Sequence, residues 1–188
     1  MHTCTFLLLS SSLGLASLPA FAKESIYDFT LPGLKGKPLA LEAYKNKVLM
    51  IVNTASHCGY TKQYGGLERL YKAHKAEGFE VIGVPSGSFK QEFKDDSEVA
   101  QFCKFNFGVS FSMSKIVEVN GKQQDPLFAY LVKQAPAEAA GPVEWNFEKF
   151  LIDRQGEVVA RYRSAVSPDD PKIEAKIKEL LTIKAAKK

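Results

Sequence analysis

Two runs of strand length joined by a helical segment constrain the fold of this chain most strongly. Residues 48–52 (Val-Leu-Met-Ile-Val) and residues 79–84 (Phe-Glu-Val-Ile-Gly-Val) have the composition of strands buried in a sheet. The segment between them carries side chains at helical spacing, namely Leu67, Leu70, Tyr71 and His74. Gly78 then supplies a helix stop signal. The pattern predicts a right-handed βαβ unit whose parallel strands end at the same edge of the sheet.

Segments on either side add to this unit. Residues 26–41 read as an N-terminal β-hairpin, because turn residues 35–37 (Lys-Gly-Lys) separate two stretches of alternating apolar side chains. Further on, Asp96 and Ser97 are candidate caps for a helix that runs from residue 98 to residue 106. In that helix Cys103 lies on the same face as Val99 and is expected to point inward.

The C-terminal half continues the alternation of strands and helices. Residues 115–119 read as a strand ended by Asn-Gly, and a short helix is expected after Pro126. Residues 150–152 and 158–160 form a predicted antiparallel hairpin, and a last helix follows Pro168. We therefore predict an α/β fold with a central mixed sheet flanked by helices and with an N-terminal β-hairpin.

Length and charge indicate one globular domain without a nucleic-acid surface. The chain has 188 residues, of which 45% are hydrophobic and 24% are charged, and these are the proportions of an ordinary folded domain. The net charge of +4 is small, and the basic residues are spread along the chain apart from a lysine-rich C-terminus. Nucleic-acid binding is therefore not expected.

The first 22 residues have the pattern of an export signal. They contain no Lys, Arg, Asp or Glu, carry the apolar run of residues 6–9, and end in Ala20-Phe21-Ala22. The apolar run is too short for a membrane-spanning helix of about 20 residues. We expect residues 1–22 to be a cleaved signal peptide, residues 23–188 to be the folded domain, and the protein to be exported, to the periplasm, without stable membrane insertion. Cleavage would remove Cys4 and leave Cys58 and Cys103.

Cys58 lies in the predicted loop between a buried strand and the next helix. Unpaired backbone N–H groups and the positive end of the helix dipole stabilise a thiolate at such a position, and the thiolate is the species that attacks peroxides and disulfides. Residues 58–61 (Cys-Gly-Tyr-Thr) have the spacing of a redox C-x-x-C motif with Thr61 in place of the second cysteine. Cys58 is therefore the candidate nucleophile.

Two separated segments resemble the glutathione peroxidase family in its cysteine form. Residues 53–61 (N-T-A-S-H-C-G-Y-T) are similar to the family signature around the catalytic cysteine, and residues 145–151 (W-N-F-E-K-F-L) are similar to its W-N-F-x-K-F-L segment. The resemblance extends from about Ile26 to Leu181. It implies a thioredoxin-like fold and a peroxidase that reduces hydrogen peroxide and organic or lipid hydroperoxides without a cofactor.

The resemblance also implies a set of site residues. The family's catalytic tetrad is carried over as Cys58, Gln91, Trp145 and Asn146, and the alignment of Gln91 requires a one-residue gap. Amide and indole N–H groups can donate to a thiolate or to peroxide oxygens without titrating. Cys103 occupies the position of the resolving cysteine in thioredoxin-dependent members, which implies a thioredoxin-like reductant or glutathione. The short segment 132–144 is typical of monomeric members.

Other readings of the same residues remain open. His57 beside Cys58 permits a cysteine hydrolase, although a nucleophile and its base seldom adjoin in sequence. The cysteines also fit an exported thiol–disulfide oxidoreductase, a peroxide sensor, or a permanent Cys58–Cys103 disulfide. The three His and three Cys of the chain form no cluster with metal-ligand spacing, so no metal site is expected.

Overall fold

A computed structural model describes residues 24–183, and the predicted signal peptide lies outside these residues. A two-stranded antiparallel hairpin precedes a five-stranded mixed sheet with the order β5-β4-β3-β6-β7. The strands are β1 (Thr30–Leu31), β2 (Leu39–Ala40), β3 (Val48–Thr54), β4 (Phe79–Pro85), β5 (Ser112–Met113), β6 (Lys149–Ile152) and β7 (Val158–Tyr162). The predicted N-terminal hairpin and the mixed sheet are confirmed.

The predicted βαβ unit forms the centre of the sheet. β3 and β4 are parallel, in register from Val48 opposite Phe79 to Thr54 opposite Pro85, and every residue of β3 is buried. β6 pairs with the other side of β3 in the antiparallel direction, and β7 pairs with β6. β3 is therefore a central strand, and its C-terminal end opens into the loop that carries Cys58.

Helices cover both faces of the sheet. The four α-helices are α1 (Gln63–His74), α2 (Asp96–Phe107), α3 (Pro126–Gln134) and α4 (Pro171–Thr182). α1, α2 and α4 pack on one face, in a core that contains both Cys58 and Cys103, whereas α3 packs on the other. The N-terminal hairpin contacts both cores, because Leu31 packs on the side of α3 and Leu34 on the side of α2. The predicted layered α/β architecture is confirmed, and both cysteines lie on the same side of the sheet.

Two details of the predicted elements are wrong. Residues 115–119 are not a strand, because β5 ends at Met113 and the neighbouring β4 ends at Pro85, which has no N–H to extend the ladder. Only the Val117 N–H donates to the Pro85 carbonyl there, at 3.0 Å. The cap of α2 is Asp95, whose carboxylate accepts from the Ser97 N–H at 2.7 Å, so the helix begins two residues earlier than predicted.

Buried charges lie where β6 and β7 meet. Glu148 accepts hydrogen bonds from Arg161 at 2.8 Å and from Arg163 at 3.1 Å, and both Glu148 and Arg161 are buried. The next residue, Lys149, is fully buried and donates from Nζ to the Val166 carbonyl at 2.6 Å. Burial lowers the pKa of Lys149 to about 7, and the nearby Glu148 opposes this shift.

This buried lysine predicts a pH dependence of stability. Above pH 7 the folded chain loses a proton that the unfolded chain still holds, so the free energy of unfolding rises with pH until the ordinary lysine pKa is reached. Between pH 7 and 8.5 we expect wild type to gain up to ~1.4 kcal/mol per pH unit relative to Lys149→Met. Urea denaturation at several pH values measures this. In the exposed Lys133→Met variant, the free energy of unfolding should change with pH as it does in wild type. The same pH dependence in Lys149→Met would contradict the effect expected of the buried lysine.

Candidate active site

Cys58 lies in the turn between the end of β3 and the start of α1. Its side chain is a free thiol, and the residue is only 8% exposed. The Tyr60 N–H donates to Cys58 Sγ at 3.4 Å, and further turn hydrogen bonds lead from Cys58 into α1. The sulfur therefore accepts from a backbone N–H in the turn that precedes α1, and such a donor stabilises an anionic sulfur.

Thr61, which replaces the second cysteine of a C-x-x-C motif, fixes the conformation of this turn. Its Oγ1 accepts from the Cys58 N–H at 3.0 Å and donates to the Ala55 carbonyl at 2.9 Å. The hydroxyl thus joins the two ends of the loop that holds Cys58. Thr61 has a structural role here and offers no second sulfur.

Gln91 and Asn146 meet beside the Cys58 loop. Asn146 is fully buried, and its Nδ2 donates to Gln91 Oε1 at 3.0 Å. The Gln91 carbonyl accepts from the His57 N–H at 2.9 Å, so the loop after β4 is bound to the loop after β3. The structure thus brings together residues from three separate segments of the chain, including the Gln91 that was aligned with a gap.

Trp145 lies at the surface edge of the same region. It is 40% exposed, and its ring packs on Phe89 with the centroids 5.3 Å apart. Its backbone is bonded to the end of β3, because Asn53 Nδ2 donates to the Trp145 carbonyl at 2.9 Å. The indole of Trp145 is therefore accessible to solvent, next to the buried amide of Asn146 and the half-buried amide of Gln91.

Asn53 is a site residue that sequence reasoning did not single out. Besides its bond to Trp145, its Oδ1 accepts from the Glu148 N–H at 3.0 Å and its carbonyl accepts from the Phe147 N–H at 2.6 Å. Asn53 therefore fixes the segment of Trp145 and Asn146 to the end of β3. The available signal was a polar residue directly after the apolar run of residues 48–52, since a buried amide requires partners.

Removal of the Asn53 side chain is expected to lower both the free energy of unfolding and the rate at which peroxide oxidises Cys58. Asn53→Ala leaves the Glu148 N–H and the Trp145 carbonyl without side-chain partners, at a cost on the order of 1–3 kcal/mol for each buried group. We expect Cys58 to be oxidised more slowly by peroxide, as measured by stopped-flow fluorescence, because Trp145 is no longer held. Gln124→Ala removes an amide that bonds the Val119 carbonyl and is the matched control. A wild-type oxidation rate in Asn53→Ala would contradict this role.

Glu92 is a second residue that sequence reasoning missed. Its Oε1 accepts from the Ser56 N–H at 3.2 Å and from the Phe93 N–H at 2.9 Å, so it bonds the loop of Gln91 to the loop of Cys58. Burial raises the pKa of Glu92, although hydrogen bonds from Ser56 and Phe93 oppose the shift. No motif marked this carboxyl, because the partner that bonds it to the Cys58 loop, the Ser56 N–H, belongs to a distant segment.

Cys103 faces the same core from α2. It is a free thiol, 2% exposed, beside the buried phenol of Tyr64. Burial raises the pKa of Cys103 to about 11, with the charge of Glu92 adding to the rise and the Tyr64 hydroxyl opposing it. The inward orientation predicted from the helical pattern is confirmed. The two thiols are not joined, so this structure does not contain the permanent disulfide considered from the sequence.

The cysteine hydrolase considered from the sequence gains no support from the positions of the histidines. The exposed His57 ring packs edge-on against Phe93, at 4.4 Å between centroids, and His74 is buried with its Nδ1 2.9 Å from Glu77.

Among residues 24–183, no three His, Cys, Asp or Glu side chains are grouped to hold a metal ion. None of the helices in the same range is long and apolar enough to cross a membrane.

Known proteins resemble this chain over most of its length. The glutathione peroxidase family matches residues 26–132. A glutathione peroxidase of Lactococcus lactis is 41% identical over 158 residues, which cover 84% of this chain and 99% of that protein. The hydroperoxy fatty acid reductase gpx1 of Synechocystis is 44% identical over 171 residues, which cover 87% of this chain and 100% of that protein.

A solved structure extends the resemblance to three dimensions. The crystal structure of Trgpx in its apo form has a TM-score of 0.70 and 37% identity, and the match covers 87% of this chain and 99% of that one. The fold is therefore thioredoxin-like, as the resemblance implied. Sequence, fold and family match together show that this chain is a thiol peroxidase that belongs to the glutathione peroxidase family.

Proposed function

We propose that Cys58 is the residue that attacks the hydroperoxide. The Cys58 thiolate and ROOH, with one proton, give the Cys58 sulfenic acid and the alcohol ROH. A sulfur–oxygen bond forms as the O–O bond breaks, so the sulfur loses the two electrons that the peroxide gains. The hydrogen bond between Asn146 and Gln91 carries this proposal, because it joins two distant motifs beside the Cys58 loop.

Gln91, Trp145 and Asn146 are the proposed donors to the reacting atoms. The Gln91 oxygen accepts from Asn146, so the amide N–H groups of Gln91 can face a peroxide oxygen. Trp145 supplies an indole N–H at the open side of the site. Fixed donors stabilise charge that develops on the leaving oxygen, and one such donor can contribute roughly 2.7–4 kcal/mol to a barrier.

Cys103 is the proposed resolving cysteine. Its thiol attacks the Cys58 sulfenic acid, giving the Cys58–Cys103 disulfide and one molecule of water. A disulfide requires Cα atoms within about 7 Å, and Cys103 is packed inward from α2, so we infer that α2 unwinds locally before the bond forms. Unwinding also exposes Cys103 to water, which removes the burial that raises its pKa and makes the thiolate easier to form.

An external thiol closes the proposed cycle. Two thiols of the reductant are oxidised to a disulfide as the Cys58–Cys103 bond returns to two thiols. A thioredoxin-like dithiol is the favoured donor, because the resolving thiol converts the enzyme to a disulfide that a dithiol can reduce. We propose that the mature protein, residues 23–188, acts as a monomer in the periplasm, where it uses a donor of that compartment.

Lipid hydroperoxides are the proposed substrates beside hydrogen peroxide. The segment between α3 and β6 is short, and Trp145 is 40% exposed, so a bulky peroxide can reach the site. The similarity to a hydroperoxy fatty acid reductase supports the same substrate class.

A donor comparison tests this proposal. The mature protein is assayed for consumption of hydrogen peroxide and linoleic acid hydroperoxide, with either the thioredoxin system or glutathione as reductant. Faster turnover with thioredoxin is expected for both peroxides, together with slow reduction of insulin disulfides. Fast insulin reduction without peroxide turnover by either donor would contradict the proposal and favour a thiol–disulfide oxidoreductase.

A further inference from the structure

A cavity of about 510 Å³ borders Cys103 and is lined by residues of the hairpin, of α2 and of the segment around β5. The apolar part of its lining comes from the hairpin, from the segment that leads into β5 and from β5 itself: Leu34, Leu39, Val109, Phe111 and Met113. Neither Cys58 nor the proposed donors line it. A volume of this size lies within the range of about 300–1,000 Å³ for small-molecule sites.

The two walls of this cavity differ in how they are held. The hairpin wall is bonded to the sheet edge, because the Leu34 N–H donates to the Met113 carbonyl at 3.0 Å and the Lys115 N–H donates to the Pro32 carbonyl at 2.7 Å. The opposite wall is α2, through Ala100 and Cys103. A ligand in the cavity would therefore connect a fixed wall to α2, the helix that is proposed to unwind during resolution.

The polar part of the cavity is cationic. Lys35, Lys37 and Lys104 contribute to its lining, all three are exposed, and its lining contains no acidic residue. Within residues 24–183, none of these three lysines forms an ion pair. Apolar side chains beside ammonium groups that form no ion pair complement a molecule with a carboxylate head and an alkyl chain.

We propose that this cavity binds a free long-chain fatty acid and that the bound fatty acid keeps α2 folded. The carboxylate pairs with Lys35, Lys37 and Lys104, and the alkyl chain packs between the hairpin and α2. Because Cys103 lines the cavity, a bound chain holds this cysteine in its inward position. This inference rests on the proposed resolving role of Cys103 and adds a regulatory ligand to it.

Fatty acid binding and formation of the Cys58–Cys103 disulfide should oppose each other. If the fatty acid prefers the form with α2 folded, it must bind less tightly to the disulfide form, and it must oppose disulfide formation by the same factor. Formation of the Cys58 sulfenic acid should be unaffected, because the cavity does not include Cys58. Free fatty acid would then lengthen the lifetime of the Cys58 sulfenic acid without slowing the reduction of peroxide by Cys58.

Titration calorimetry with laurate tests the binding site. The mature protein in its reduced form should bind laurate at least tenfold more tightly than the same protein in its disulfide form. The double variant Lys35→Gln/Lys37→Gln should bind at least fivefold more weakly, whereas Lys122→Gln/Lys133→Gln, which removes the same charge at exposed sites elsewhere, should bind like wild type. Dodecanol, which lacks the carboxylate, should bind weakly. Equal affinity for both redox forms, or equal affinity in both double variants, would overturn the proposal.

A cavity variant and a turnover assay separate this inference from the proposed function. Val109→Phe places a ring in the cavity and should abolish laurate binding while the circular dichroism spectrum stays unchanged. Peroxide turnover without laurate reports on the proposed function alone. Normal turnover with no laurate binding would overturn only the fatty acid site, whereas laurate binding without any disulfide formation would overturn the role of Cys103.

Discussion

Replacement of Cys58 by serine is expected to abolish peroxide consumption while the fold stays intact. A serine hydroxyl is far too weakly acidic to supply the nucleophile, so turnover should fall by roughly 10³-fold or more. The fold should persist because the turn is held by backbone groups and by Thr61, which do not require the sulfur. Peroxide consumption with thioredoxin and circular dichroism of the same sample measure the two effects.

The control for this variant is a cysteine-to-serine change at the other described cysteine. Cys103→Ser should still reduce one equivalent of peroxide per protein, because its first step uses Cys58 alone. Residual turnover of Cys58→Ser above a few per cent of wild type would place the nucleophile elsewhere in the chain.

Replacement of Cys103 by serine is expected to stop recycling without slowing the first step. The Cys58 sulfenic acid should persist, should be oxidised further by excess peroxide, and should be trapped by dimedone in higher yield than in wild type. Turnover with thioredoxin should fall at least about tenfold, which corresponds to ~1.4 kcal/mol on the barrier. Stopped-flow oxidation and steady-state turnover separate the two steps.

Ala100→Ser on the same helix is the matched control, because it adds a hydroxyl to α2 and keeps Cys103. It should retain turnover with thioredoxin. If Cys103→Ser cycles at the full wild-type rate, Cys103 is only a buried side chain and the enzyme uses one cysteine.

The central sheet was predictable because its signals are local. The apolar run of residues 48–52 and the stop at Gly78 are properties of contiguous residues, and they predict β3, α1 and β4. The strand expected at residues 115–119 failed for a non-local reason. Whether an extended segment joins a sheet depends on its partner, and the neighbouring strand ends at Pro85.

The site was only partly predictable for the same reason. Cys58 and Trp145 stand in recognisable motifs, whereas the positions of Asn53 and Glu92 in the site depend on backbone groups more than 30 residues away. The cap of α2 was misassigned by one residue, because adjacent Asp95 and Asp96 can both accept from a helix N-terminus. Contacts between distant loops need the folded structure before they can be assigned.

Mass spectrometry after one equivalent of peroxide tests the central claim most directly. The reduced mature protein is treated with hydrogen peroxide, alkylated, digested without reductant and compared with an untreated sample. We expect the loss of two hydrogen atoms from the intact chain and one linked pair of peptides that contain Cys58 and Cys103. A stable oxygen adduct on Cys58 together with a fully alkylated Cys103 would contradict this claim.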